Sequence, residues 1–121
     1  MNSASLKPAI TALVLATTTT LPAYGQQEIP IPRSMPGDKG KYYLLEVKRD
    51  GDIVKALHKR VGVDSVGYTR TETNCKTMRM REMGYSEESP AKIKEDPTKW
   101  FDLVPGSSKS DLASFVCKRQ K

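Results

Sequence analysis

Only two cysteines, Cys75 and Cys117, occur in the 121 residues, and both lie behind an N-terminal stretch with the grammar of an export signal. That stretch has a lone Lys7 and an apolar run over residues 9–16, broken by Thr11 and dissolving into Thr17 to Thr20 before Leu21-Pro22. It closes on Ala23-Tyr24-Gly25, which places small residues at the two positions a signal peptidase inspects. The run falls short of the ~20 apolar residues a spanning helix needs. The reading is a signal peptide over residues 1–25 and a mature chain from Gln26. The residue directly after the cut is Gln26 and not a cysteine, so no bacterial lipid anchor is expected. The expected location is the periplasm, or the secreted or cell-surface space, of a Gram-negative bacterium. An oxidising compartment favours joining the two cysteines over leaving them as thiols. A zinc site using both with His58, and a pair of free thiols, are the alternatives; redox catalysis is disfavoured because no C-x-x-C spacing exists.

Removing the signal takes Lys7 with it and leaves 19 basic against 14 acidic residues, net +5 with His58 neutral. Such a chain is drawn to anionic partners, whether lipid headgroups, surface polysaccharide or acidic proteins, and charge alone does not choose among them. Nucleic acid is disfavoured by the compartment and by the absence of any binding motif. The mature length holds one domain with a modest core, a size at which a cross-link matters to stability.

Residues 26–40 carry Pro30, Pro32, Pro36, Gly37 and Gly40 with almost no apolar periodicity, the composition of a flexible or extended leader. The folded domain is expected over residues 41–121. Its clearest element is a hairpin: two alternating runs around Asp50-Gly51, read as a two-residue type I′ loop that pairs Val47 with Val54, Leu45 with Ala56 and Tyr43 with His58. Residues 67–73 read as a third strand, rich in threonine and tyrosine. Residues 77–85 read as a fourth, with methionines inward and arginines outward, and a short helix is the alternative that the pattern leaves open. A polar loop over 87–96 leads to a short strand over 100–104. Ser108 then reads as the N-cap of a terminal helix with Leu112, Phe115 and Val116 on one face and Lys118, Arg119 and Lys121 at its end. The fold class is therefore α+β, an antiparallel sheet with the C-terminal helix packed on one face.

No catalytic constellation is legible, and the expectation is a protein that is not an enzyme. His58, beside Lys59 and Arg60, has no nucleophile near it in sequence. Haem ligation by His58 with Met78, Met80 or Met83 uses known axial ligand types, although alternating methionines are more often core; no cofactor is expected otherwise. Carboxylates at Glu87, Glu88, Glu95 and Asp96 sit in the polar loop and read as solvated. The candidate partner-binding residues are Lys48, Lys55, Lys59, Arg60, Arg79, Arg81 and Trp100. If the hairpins adjoin, these cations, with Arg49, make one sheet face basic, and Trp100 or Phe101 supplies an aromatic anchor.

The stretch Tyr68-Thr-Arg-Thr-Glu-Thr-Asn-Cys75-Lys-Thr-Met-Arg-Met-Arg, followed by Trp100-Phe-Asp-Leu-Val-Pro-Gly-Ser-Ser-Lys-Ser-Asp-Leu-Ala-Ser-Phe-Val-Cys117, resembles the surface-adhesin protein E family. The shared features are a strand ending in cysteine, basic residues after it, a tryptophan, a Pro-Gly-Ser turn and a helix closing on cysteine, over residues 41–118. The resemblance implies an antiparallel sheet carrying a C-terminal helix, a Cys75–Cys117 bond, a possible homodimer, and binding of host extracellular proteins and haemin. This chain departs from the family in lacking the lipidation cysteine, which weighs against membrane-held adhesion.

Overall fold

The computed structural model describes residues 27–119, so the expected signal peptide lies outside the described residues. Six strands form one antiparallel meander in chain order: β1 (Ile29–Pro30), β2 (Lys41–Asp50), β3 (Ile53–Val61), β4 (Val66–Asn74), β5 (Arg79–Ser86) and β6 (Phe101–Asp102). A single 3-10 turn, Pro90–Lys92, interrupts the loop after β5, and the helix α1 (Ser108–Arg119) covers one face of the sheet. This is the α+β layering expected, with most of the regular structure in strands.

Alternation along the strands sorts side chains between a covered and an open face. Under α1 lie Leu44, Val54, Ala56 and Met80, closed over by Leu112, Ala113 and Val116 of the helix. The fourth strand contributes Thr69, Thr71 and Thr73, all buried. Cys75 and Cys117 are bonded, with Cα atoms 5.7 Å apart, and so tie the end of β4 to the last turn of α1. The zinc and free-thiol alternatives fall with that bond. Phe101 packs partly against the same core, whereas Trp100, also half-buried, does not join it.

Three local readings are corrected. The hairpin loop is Gly51-Asp52 rather than Asp50-Gly51: Asp50 pairs with Ile53 and Val47 with Ala56. Gly51 takes φ +65° while Asp52 does not enter the left-handed region, the pattern of a type II′ turn with glycine first. A bulge between Leu44 and Glu46 then inverts the alternation, so Leu44 and Tyr42, not Leu45 and Tyr43, face the helix. The helix cap is Ser107 rather than Ser108, its Oγ accepting the Ser110 N–H at 3.1 Å.

The third correction concerns the leader, which is docked rather than flexible. Ile29 pairs with Leu44, the Ile31 amide donates to the Tyr42 carbonyl at 2.9 Å, and Ile31 is a core residue. Proline is tolerated at this sheet edge because its missing N–H faces away from the ladder. Beyond it, Arg33 Nε donates to Asp111 Oδ2 at 2.8 Å and the Ser34 amide to the same oxygen at 3.0 Å, clamping the segment to the first turns of α1. Burial works to raise the Asp111 pKa, and the hydrogen bonds from Arg33 and Ser34 outweigh it and hold it low.

Candidate functional site

The face of the sheet that α1 leaves open carries most of the residues singled out from sequence. Lys48, Lys55, Glu72 and Arg81 form one row across β2 to β5, and Lys59 and Arg79 lie on the same face. Trp100 joins them, its ring 4.9 Å from the Arg81 guanidinium and its carbonyl accepting from Arg79 at 3.2 Å. Arg60 does not belong to this set. It alternates onto the helix-covered side, where it bonds Asp38 at 2.8 Å and the Tyr42 hydroxyl at 3.1 Å. Arg49 shares that parity, because it pairs with the core residue Val54.

The face is charged but largely compensated. Lys59 meets Glu28, Arg70 meets Glu46, Arg79 meets Asp102, and Arg81 donates twice to Glu72. Lys48 and Lys55 are the departure. They stand directly opposite one another on neighbouring strands, both exposed, and neither has an ion pair among the described residues. Like charges in that position are destabilising, so the pair is a local conflict the fold itself does not require.

Beside the two lysines the sheet forms an open concavity of about 480 Å³, lined among others by Leu57, Arg70, Met83 and Glu95. Its floor is unusual for a solvent-facing surface. Leu57 is only 2% exposed although it points away from the helix. The reason is visible in the register: Glu46 and Arg70 flank Leu57 on β2 and β4, and their bridge, 3.3 Å between Nη1 and Oε1, passes over it. A second bulge, between Arg70 and Thr71 against β5, turns Met83 toward the same hollow. Both partners of the arch are half-exposed, so the bridge itself contributes little, about 0–1 kcal/mol. Sequence reasoning missed Leu57 and Arg70 and gave Met83 and Glu95 other roles. The available signal was Ala56-Leu57 next to Ile53-Val54, two consecutive apolar pairs in one strand, which marks a strand buried on both faces.

His58 lies on the covered side, lining a cavity of about 220 Å³ near the start of α1 with Tyr42, Arg60, Thr69, Glu82 and Lys109. Its Nδ1 is buried and has no hydrogen-bond partner among the described residues. Burial first, then the Lys109 charge, lower its pKa to about 4, so it is neutral at pH 7. The methionines named with it as haem ligands are scattered. Met78 occupies the β4–β5 turn with φ 55°, Met83 faces the open side, and Met80 is a core residue paired with Thr73, four residues along β4 from the partner of His58. Four residues of strand are about 13 Å, and no His–Met pair is brought together for an axial ligand set.

Among the described residues no helix is long and apolar enough to cross a membrane, and no group of three or more His, Cys, Asp or Glu side chains is placed to hold a metal. Compared with known proteins, the chain matches no family model, no curated protein and no solved structure.

Proposed function

We propose that the protein is an exported, non-enzymatic binding module of the adhesin E-like kind, acting in the periplasm or at the cell surface, and that the open sheet face is its contact surface. The observation that carries this reading is the Lys48–Lys55 pair, opposed like charges with no counter-ion among the described residues, on a face where the neighbouring cations have one. A partner that supplies negative charge there relieves the repulsion on binding, which is a differential interaction between the free and bound states. The hollow beside the lysines adds the half-buried Met83, and Leu57 wherever the Glu46–Arg70 bridge opens, as apolar surface for that partner to cover.

The test is capture of envelope and extracellular proteins by the mature chain, compared with a Lys48→Glu/Lys55→Glu variant and across 50 to 500 mM salt, an interval over which exposed-charge attraction is progressively screened, at about 8 Å Debye length near 0.15 M. Capture that is lost in the variant and weakened by salt supports the reading. Capture indifferent to both removes the open face from the function. A second reading, a small ligand carrier, is favoured by one observation, the 220 Å³ cavity with the unpartnered His58 Nδ1. Haemin titration tests its haem version: a Soret shift abolished by His58→Ala supports it, and an unshifted band rejects it.

A further inference from the structure

Glu95 gives the hollow a second pole. It lines the concavity from the segment after β5, which is held along that strand by the Asp96 amide on the Met83 carbonyl, 2.8 Å, and the Thr98 amide on the Glu82 carbonyl, 2.9 Å. The approach is possible because residue 84 is glycine; a β-carbon there would collide with the Lys94 carbonyl. Glu95 has no ion pair among the described residues, like Lys48 and Lys55 across the hollow. The other charges lining it are closed on one another or on a neighbour, Arg70 on Glu46 and Glu72 on Arg81. What remains is dipolar: two cations on the β2–β3 side with Leu57 two residues along β3 from Lys55, one carboxylate on the far rim, and Met83 of β5 between the two poles.

We infer that this hollow takes an extended peptide segment of a protein partner, with an acidic, an apolar and a basic side chain at alternate positions, acid at Lys48 and Lys55, apolar side chain against Met83, base at Glu95. The spacing fits. From β3 across β4 and β5 to the Glu95 segment is three inter-strand steps, about 14 Å at ~4.8 Å each, and four residues of extended chain also cover about 14 Å with the first, third and fifth side chains on one side. The Glu46–Arg70 arch is weak enough to open, so an incoming carboxylate also gains Arg70. An anionic polysaccharide fits less well, because Glu95 and the closed pairs interrupt any continuous cationic track. The inference rests on the binding-module reading and specifies its partner.

Fluorescence anisotropy with the mature chain and a labelled peptide, acetyl-Gly-Asp-Ser-Leu-Ser-Lys-Gly-amide, tests it. Replacing the peptide Asp by Asn, or its Leu by Ser, is expected to weaken binding about threefold to tenfold. Lys55→Glu in the protein removes the preference for Asp over Asn. Glu95→Lys, an exposed loop substitution, reverses the choice between Lys and Glu at the peptide's basic position. Equal affinity for all peptides overturns the inference, as does binding of dextran sulfate without peptide discrimination. If capture of envelope proteins remains sensitive to Lys48→Glu/Lys55→Glu while peptide discrimination is absent, this inference alone fails; if that sensitivity is also lacking, the reading beneath it fails too.

Discussion

Asp111→Ala asks whether the docked leader contributes to stability or merely lies on the surface. The carboxylate is 10% exposed and accepts from the Arg33 guanidinium at 2.8 Å and the Ser34 amide at 3.0 Å. A hydrogen bond between charged partners is worth ~1.5–3 kcal/mol, and Arg33, 20% exposed, recovers some hydration when released, which favours the lower end. Asp111 also lies in the first turn of α1, where a negative charge adds ~0.3–1 kcal/mol through the helix dipole. The expected loss is therefore about 2–3 kcal/mol, measured by urea unfolding at pH 7. Asp111→Asn, which keeps the shape and an acceptor, is expected to lose about half as much. A double-mutant cycle with Arg33→Met isolates the pair, and its coupling is expected at about 1–2 kcal/mol. Because the folded-state pKa of Asp111 is depressed, the contribution is fully present above the ordinary carboxylate range and disappears as the pH falls below it. Trypsin cleavage after Arg33 or Lys39 should accelerate in the variant, since the released segment becomes substrate. Additivity in the cycle together with an unchanged cleavage rate refutes the clamp.

Other outcomes follow from the same contacts. His58, with its pKa held near 4 against an ordinary value of 6.5, makes stability fall as the pH drops from about 6.5 to 4, and His58→Gln flattens that interval in a pH series of urea midpoints. Replacing both cysteines by serine opens a 42-residue loop and is expected to cost about 4 kcal/mol in the chain-entropy account, read as a lower urea midpoint. Lys48→Gln removes the opposed charge and is expected to leave stability unchanged or raise it by a few tenths of a kcal/mol at low salt, while partner capture weakens; a destabilised variant contradicts the conflict drawn at that pair.

Much of the fold was legible because its signals are local. The Asp50-Gly51 dipeptide announces a hairpin, the threonine-rich run a strand, and the serines before Asp111 a helix start. What sequence could not show is where a bulge falls, since an extra residue at Leu45 leaves no mark in composition yet decides which of Tyr42 and Tyr43 faces the helix. The leader was obscured by its prolines, although Ile29 and Ile31 already alternate as an edge strand would. Of the seven candidate contact residues, six lie on the open face; Arg60 follows Lys59 directly in β3, so alternation alone puts it on the other side, where it meets Asp38 and Tyr42. The hollow itself was invisible, being made by Leu57, Arg70 and Glu95 from three separate segments.

The two faces of the sheet divide the work: alternation separates them, and the bulges re-phase it at Leu45 and Met83. On the covered side, Ile31, the helix and the Cys75–Cys117 bond converge on one core, so changes there are read as stability. On the open side, neighbouring charges are closed into surface pairs of small individual value, so charge substitutions leave the fold nearly unmoved. Leu57 is the exception that joins the two regimes. It is an open-face residue buried as deeply as the core, and its cover is a bridge between two half-exposed side chains. Arg70→Ala should therefore uncover Leu57 and raise binding of an apolar dye such as ANS while shifting the urea midpoint by less than the equivalent of about 1 kcal/mol. Unaltered dye binding would mean that the backbone of β2 and β4, and not the arch, hides Leu57, and the hollow would then be a shallow groove with no apolar floor to offer.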